Sequence, residues 1–169
     1  EMLKHALISS TEEWKNLLTF DAGDINYDWL TETVFHSVSI KEEIVEKDPF
    51  ERNLRKALNL GHTVGHAFES FALESGRPVL HGYAVAWGLI SELYLSHRLC
   101  GFPKEELLQA IHFIHRNYGA FEIGCDDYEK LYDFMRHDKK NETASSVNFT
   151  LLSDIGKIEI NQVVDKELI

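Results

Sequence analysis

Between Arg55 and Glu69 the chain reads RKALNLGHTVGHAFE, and this stretch constrains the fold more than any other. Wound at ~100° per residue, it makes a helix with two unlike faces. Arg55, Asn59, His62 and His66 fall within roughly 60° of one another. Glu51 and Glu69 flank the same stripe, while Ala57, Leu60, Val64, Ala67, Phe68 and Phe71 take the opposite side. An ordinary surface helix shows a solvated face of mixed Lys and Glu. Here a guanidinium, an amide and two imidazoles stand in line, and those groups bind metals and anions.

The rest of the chain reads as mostly helical. A first amphipathic segment covers Glu1 to Ile8, and Ser10 with Glu13 forms a capping-box start for a helix to about Phe20. A helical segment from Tyr27 to about Lys47, unbroken or broken once, follows the loop DAGDIN. Asp48-Pro49-Phe50-Glu51 then signals a helix start, with Asp48 as cap and Pro49 in the first turn, and the spacing predicts one helix to about Glu74. Another starts near His81 and ends at Gly101 and Pro103; its first half is apolar on nearly every side and should be buried. Helices over Pro103 to Asn117 and about Asp126 to Arg136 follow. VNFTLL, SDIGK and IEI read as strand, turn and strand. The expected fold is therefore mainly α, multi-helical, with a small C-terminal β-hairpin. Gly61 and Gly65 inside the expected long helix cost about 1 kcal/mol each relative to Ala. They imply either a close helix–helix crossing or room for a ligand against the backbone.

His62 and His66, at i and i+4, have the spacing of a shared metal site, but HTVGH lacks the Glu of the HExxH motif. A pair of hydrogen-bonded structural histidines has the same spacing. His81 opens a buried helix, where the positive end of the helix dipole disfavours imidazolium, so it is expected neutral and available to a metal. His62, His81 and one carboxylate with an open fourth position would make a catalytic zinc site. Glu1, Glu51 and Glu69 are all possible as that carboxylate. Asp138-Lys139-Lys140-Asn141 reads locally as a solvated charge run, and Lys4 and Lys41 as exposed helix residues. His36, His97, His112, His115 and His137 have no partner pattern, and Trp14, Trp29 and Trp87 read as core.

The 169 residues can bury a proper core as one domain. Seventeen Lys and Arg against 28 Asp and Glu give a net charge of −11, which argues against nucleic acid or anionic lipid as a general partner but not against an anionic small molecule in a basic pocket. No apolar run approaches a membrane span. Cys100 and Cys125 lack metal spacing, and a reducing, cytoplasmic setting fits. The chain begins inside an amphipathic pattern with neither Met nor cap, as expected of the C-terminal part of a longer protein.

LRKALNLGHTVGHAFES followed by LHGYAVAWGL, with EMLKHALI before and DKKN…NFTLL after, resembles the C-terminal domain of the 3-dehydroquinate synthase family. The resemblance implies a zinc ion, or another divalent metal such as Co2+, on Glu1, His62 and His81. It implies that Lys41, Arg55, Asn59, His66 and Lys140 contact substrate, with Lys140 preferred to Lys139 for the phosphate. Lys4 and His66 are expected to act in the reaction, and Glu51 lies near the site. The implied reaction converts 3-deoxy-D-arabino-heptulosonate 7-phosphate to 3-dehydroquinate and phosphate in the shikimate pathway. Its steps are NAD-dependent oxidation, phosphate elimination, re-reduction, ring opening and aldol closure. NAD would sit on an N-terminal α/β domain, absent from these residues, which contain no G-x-G-x-x-G. The 169 residues alone should therefore be inactive. A homodimer is implied. The chain departs from the family's His-Gly-Glu at His81-Gly82-Tyr83. Competing readings are a sugar-phosphate cyclase of the 2-deoxy-scyllo-inosose synthase type, a zinc or iron polyol dehydrogenase, and a non-enzymatic helical interaction module.

Overall fold

Apolar residues recur at helical spacing along most of the chain, and the backbone follows them. The structure, a computed structural model, describes residues 1–137 and 146–169. Its α-helices are α1 (Met2–Ser9), α2 (Thr11–Leu18), α3 (Tyr27–Lys47), α4 (His62–Glu74), α5 (His81–Cys100), α6 (Lys104–Tyr118) and α7 (Tyr128–Arg136), followed by strands β1 (Ser146–Asp154) and β2 (Lys157–Asp165). Ser10 caps α2 as expected, its Oγ accepting from Glu13 N at 3.2 Å. Asn26 caps α3 through Asp28 N and Trp29 N, and α3 is unbroken. The two strands pair antiparallel as a hairpin, with register shifts between Phe149 and Leu151 and between Leu152 and Asp154.

The expected long helix from Asp48 to Glu74 does not form. Asp48 instead closes α3, and its carboxylate accepts from the backbone N–H groups of Arg52, Asn53 and Arg55 at 3.0, 2.7 and 3.1 Å. That carboxylate holds a 3-10 helix, Leu54–Asn59, in place of the first turns of an α-helix. Gly61 then takes φ +79°, a left-handed turn open to glycine, and α4 starts afresh at His62. Glu51 also sits at φ 55°, outside any helix. The stripe of Arg55, Asn59, His62 and His66 thus belongs to two segments. The apolar side survives the break: Ala57, Leu60, Val64, Ala67, Phe68 and Phe71 are all buried.

The glycines mark a helix crossing. An added Cβ on Gly88 would stand 2.3 Å from Gly61 O and 2.6 Å from Gly65 N, and one on Gly65 would stand 2.9 Å from Val85 Cα. Helices α4 and α5 therefore meet backbone to backbone, and the space beside these glycines is filled by the neighbouring helix. Glu92, wholly buried on α5, secures the contact: its carboxylate accepts from Gly61 N at 2.6 Å and Val64 N at 3.0 Å. Those are N–H groups at the start of α4 that the helix itself leaves unpaired, and the negative charge faces the positive end of its dipole. The first half of α5, Ala84 to Leu89, is buried as expected, as are Trp14 and Trp87. Helix α3 leaves Val34, Phe35 and Val38 exposed.

The hairpin braces the 3-10 helix. Thr150 Oγ1 donates to Lys56 O at 2.9 Å, and Lys56 Nζ donates to Asn161 Oδ1 at 2.8 Å. On its other side, Leu152 N donates to Ser96 Oγ of α5 at 3.0 Å.

Candidate functional site

Helix α1, the middle of α3, the 3-10 helix and the start of α4 enclose a cavity of about 210 Å3. It is lined by Glu1, Lys4, Lys41, Glu51, Arg55, Leu58, Asn59 and His62. Three cations stand against two carboxylates there, in a protein that is strongly acidic overall. The local excess of positive charge suits an anion. Arg55 Nη1 donates to Pro49 O at 2.8 Å, and Asn59 Nδ2 donates to Glu51 Oε1 at 2.7 Å, so both side chains are held against their own loop. A larger cavity of about 500 Å3 lies against α4, α5 and α7. Its lining is mainly apolar, and its Lys166 and Glu129 neutralise each other at 2.6 Å. It holds no comparable set of polar groups.

Lys4 is nearly fully buried, contrary to its reading as an exposed helix residue. Its ammonium lies 3.1 Å from Glu1 Oε2, and His5 Nε2 lies 3.0 Å from the same oxygen. Burial works against the Glu1 charge, but the Lys4 ammonium and His5 beside it outweigh the burial and hold the carboxyl below the usual carboxylate range. His5, which sequence reasoning passed over, is buried and pairs through Nδ1 with Ser37 Oγ at 2.7 Å. Burial, helped by Lys4, pushes its pKa down to about 4.

Helical spacing on α4 aligns His62, His66 and Glu69 on one face, and the six-residue connection after α4 returns the chain so that His81 opens α5 beside them. The ring centroids of His62, His66 and His81 lie 5.4, 5.5 and 5.7 Å apart. His62 Nε2 is 3.8 Å from Glu1 Oε1. Its Nδ1 lies 3.2 Å from Leu60 O, and a carbonyl only accepts, so Nδ1 carries the hydrogen and Nε2 keeps its lone pair. Burial, with Lys4 nearby, holds His62 at a pKa of about 4, hence neutral at pH 7. His81 Nδ1 lies 2.9 Å from Glu69 Oε2. Among the described residues no three His, Cys, Asp or Glu side chains converge tightly enough to hold an ion as they stand. The donor set nonetheless fits a divalent metal of zinc type: one carboxylate kept ionised and two imidazoles whose Nδ1 atoms are engaged elsewhere. Of the three carboxylates open to the sequence, Glu51 is on Asn59, Glu69 is on His81, and Glu1 is on Lys4 and His5 while also reaching to 3.8 Å from His62.

The expected site residues Glu1, Lys4, Lys41, Arg55, Asn59 and His62 therefore share one cavity, with His66 and His81 against His62. Lys139 and Lys140 lie outside the described residues. His36, expected to lack a partner, sits 3.3 Å from Glu13 Oε1 at the surface. His5 and Glu92 were missed; a single carboxylate within the apolar run AVAWGLISELYL is the signal that could have found Glu92.

The 3-dehydroquinate synthase C-terminal family model matches residues 1–141. A 3-dehydroquinate synthase of Parabacteroides distasonis is 54% identical over the whole chain, which covers 48% of that protein. One of Leptospira interrogans is 36% identical over 92% of the chain and 43% of its own length. The chain spans about half the length of the curated relatives it matches. A crystal structure of 2-deoxy-scyllo-inosose synthase, complexed with carbaglucose-6-phosphate, NAD+ and Co2+, superposes with a TM-score of 0.73 over 99% of this chain and 48% of that one, at 23% identity. At that identity the likeness speaks for the fold. The helical architecture, the terminal hairpin and the match over residues 1–141 together mean that this chain belongs to the 3-dehydroquinate synthase C-terminal family.

Proposed function

We propose that this chain is the metal- and substrate-binding domain of a 3-dehydroquinate synthase, a carbon–oxygen lyase that converts 3-deoxy-D-arabino-heptulosonate 7-phosphate to 3-dehydroquinate and phosphate. The observation that carries the reading is the approach of Glu1 on one side and His81 on the other to His62, at the edge of a cavity lined by Lys4, Lys41, Arg55 and Asn59. Its partner is an NAD-binding α/β domain ahead of Glu1 in the same protein. The length of the matched relatives supports this. The whole acts as a cytoplasmic homodimer of the shikimate pathway. Among the described residues no helix is long and apolar enough to cross a membrane.

Glu1, His62 and His81 would hold the divalent metal, zinc or cobalt, which when bound polarises an oxygen at the reacting carbon and eases its oxidation by NAD. Lys41 and Arg55 bind the anionic groups of the substrate, Arg55 through its planar fork. Asn59 orients a hydroxyl. Lys4, within hydrogen-bond reach of Glu1, keeps that carboxylate ionised and presents an ammonium to the cavity. To His66, which lies beside both His62 and His81, this reading gives the proton transfer at the phosphate-bearing end. Lys140 completes the phosphate site. Because oxidation acidifies the adjacent C–H, elimination asks little of the protein beyond orientation.

The test is phosphate release by the intact protein with NAD and divalent metal. Release from the heptulosonate 7-phosphate, abolished in His62→Ala and His81→Ala, is the expected result. Release from glucose 6-phosphate alone would assign an inosose-type cyclase. Net NADH from glycerol without phosphate release would assign a polyol dehydrogenase. Full activity in both variants would leave a helical module with structural histidines.

A further inference from the structure

We propose that Glu69 is a positioning residue for His81: its carboxylate accepts the Nδ1–H, fixes the tautomer of the ring, and leaves Nε2 as the donor atom for a divalent cation. The inference rests on the metal reading above and adds a residue to it. Glu69 follows His62 by seven residues on α4, two turns along the same face. That register sets its Oε2 2.9 Å from His81 Nδ1. A carboxylate offers only lone pairs, so the imidazole hydrogen must lie on Nδ1. Neutral histidine in water favours the opposite tautomer, with the hydrogen on Nε2, which cannot ligate a metal through that atom. His62 reaches the same tautomer by another route, donating from Nδ1 to Leu60 O. The two imidazoles are therefore prepared alike, one by a backbone carbonyl and one by an anion. The anion gives the stronger grip, and it also makes Nε2 the more basic donor. His81 needs it more: it is half exposed at the first residue of α5, whereas His62 is largely enclosed. An exposed ring without a partner would turn freely and would sample both tautomers.

The experiment uses the intact protein carrying this chain, as wild type, Glu69→Ala, Glu69→Gln and His81→Ala. Cobalt(II) is titrated by its visible d–d absorption, and the metal-free proteins, labelled with 15N-histidine, are read for the His81 tautomer by long-range 1H–15N correlation. Glu69 is partly exposed, and far-UV circular dichroism confirms that each variant folds. Expected are a Co2+ affinity about 10–100-fold weaker in E69A, with bands at unchanged positions, an intermediate loss in E69Q, whose amide oxygen still accepts, and a His81 that moves from Nδ1–H toward Nε2–H in E69A. Wild-type affinity or an unchanged tautomer in E69A, with His81→Ala still losing the metal, would overturn the role of Glu69 and leave the metal site standing. Complete loss of the cobalt bands in E69A, with shifted bands in E69Q, would make Glu69 a ligand and overturn the proposal as well. A wild type that binds no cobalt would overturn the metal reading itself, and this inference with it.

Discussion

Gly88→Ala should be among the most damaging single-methyl changes in this protein, because the methyl has no side chain to push aside. It would meet Gly61 O at 2.3 Å, Gly65 N at 2.6 Å and Gly65 Cα at 2.9 Å, all backbone. Ordinary contact begins at 3.4 Å, so α4 must withdraw from α5 by about 1 Å. Withdrawal also stretches the two bonds from Glu92 to Gly61 N and Val64 N. Overpacking of this kind costs about 1–3 kcal/mol, and a backbone clash belongs at the upper end. Alanine returns about 1 kcal/mol in helix propensity. The net loss is about 2 kcal/mol, or roughly 4–8 °C in Tm for a chain of this size. Gly82→Ala, on the same helix, supplies the control: its methyl would meet nothing within 4 Å, so it should stabilise by up to about 1 kcal/mol. Urea unfolding followed by circular dichroism separates the two by about 3 kcal/mol. If G88A proved as stable as G82A, the backbone-to-backbone crossing of α4 and α5 would be wrong.

Other consequences can be measured directly. Glu92→Ala leaves two buried N–H groups without an acceptor and should cost on the order of 3 kcal/mol, with faster hydrogen exchange at Val64. His5 has its folded pKa depressed from 6.5 to about 4. Between those values the unfolded chain binds more protons than the folded one, so this share of stability is present above pH 6.5 and is lost as pH falls toward 4. Urea midpoints should fall over that window in the wild type and less steeply in His5→Leu, where the equally depressed His62 still contributes; an equal slope in both would refute the assignment. Arg55→Lys keeps the charge but loses the fork, and should raise KM for the anionic substrate by about tenfold or more, as expected for one charge-assisted hydrogen bond worth ~1.5–3 kcal/mol.

Much of this could be read before the structure, and the failures have physical causes. Local signals carried the helices: Ser10 with Glu13, the loop DAGDIN before Tyr27, and Gly101 with Pro103 mark ends where the backbone does turn. The segment after Asp48 failed because a capping signal is ambiguous. The same carboxylate that starts an α-helix can instead gather the N–H groups of Arg52, Asn53 and Arg55 and wind a tighter turn. Periodicity could not expose the break at Gly61, because the apolar residues stay on one side through it. The candidate site was legible as residue types and the resemblance pointed to Glu1, but local pattern could not choose among Glu1, Glu51 and Glu69, since the choice depends on contacts spanning as many as 61 residues, from Glu1 to His62. His5 and Glu92 lie within ordinary helical patterns, and their importance comes only from what the fold packs around them.

The grip of the terminal hairpin on Lys56 reaches beyond the strands themselves. Lys56 is the immediate neighbour of Arg55, yet two of its partners, Thr150 and Asn161, are 94 and 105 residues away. The cleft thus inherits its shape from a hairpin far along the chain. A screen for mutants that lose their hold on an anion should return hits at Thr150 and Asn161, two positions outside the lining of the cavity. A truncation that spared every cleft residue would still loosen the segment carrying Arg55 and Asn59.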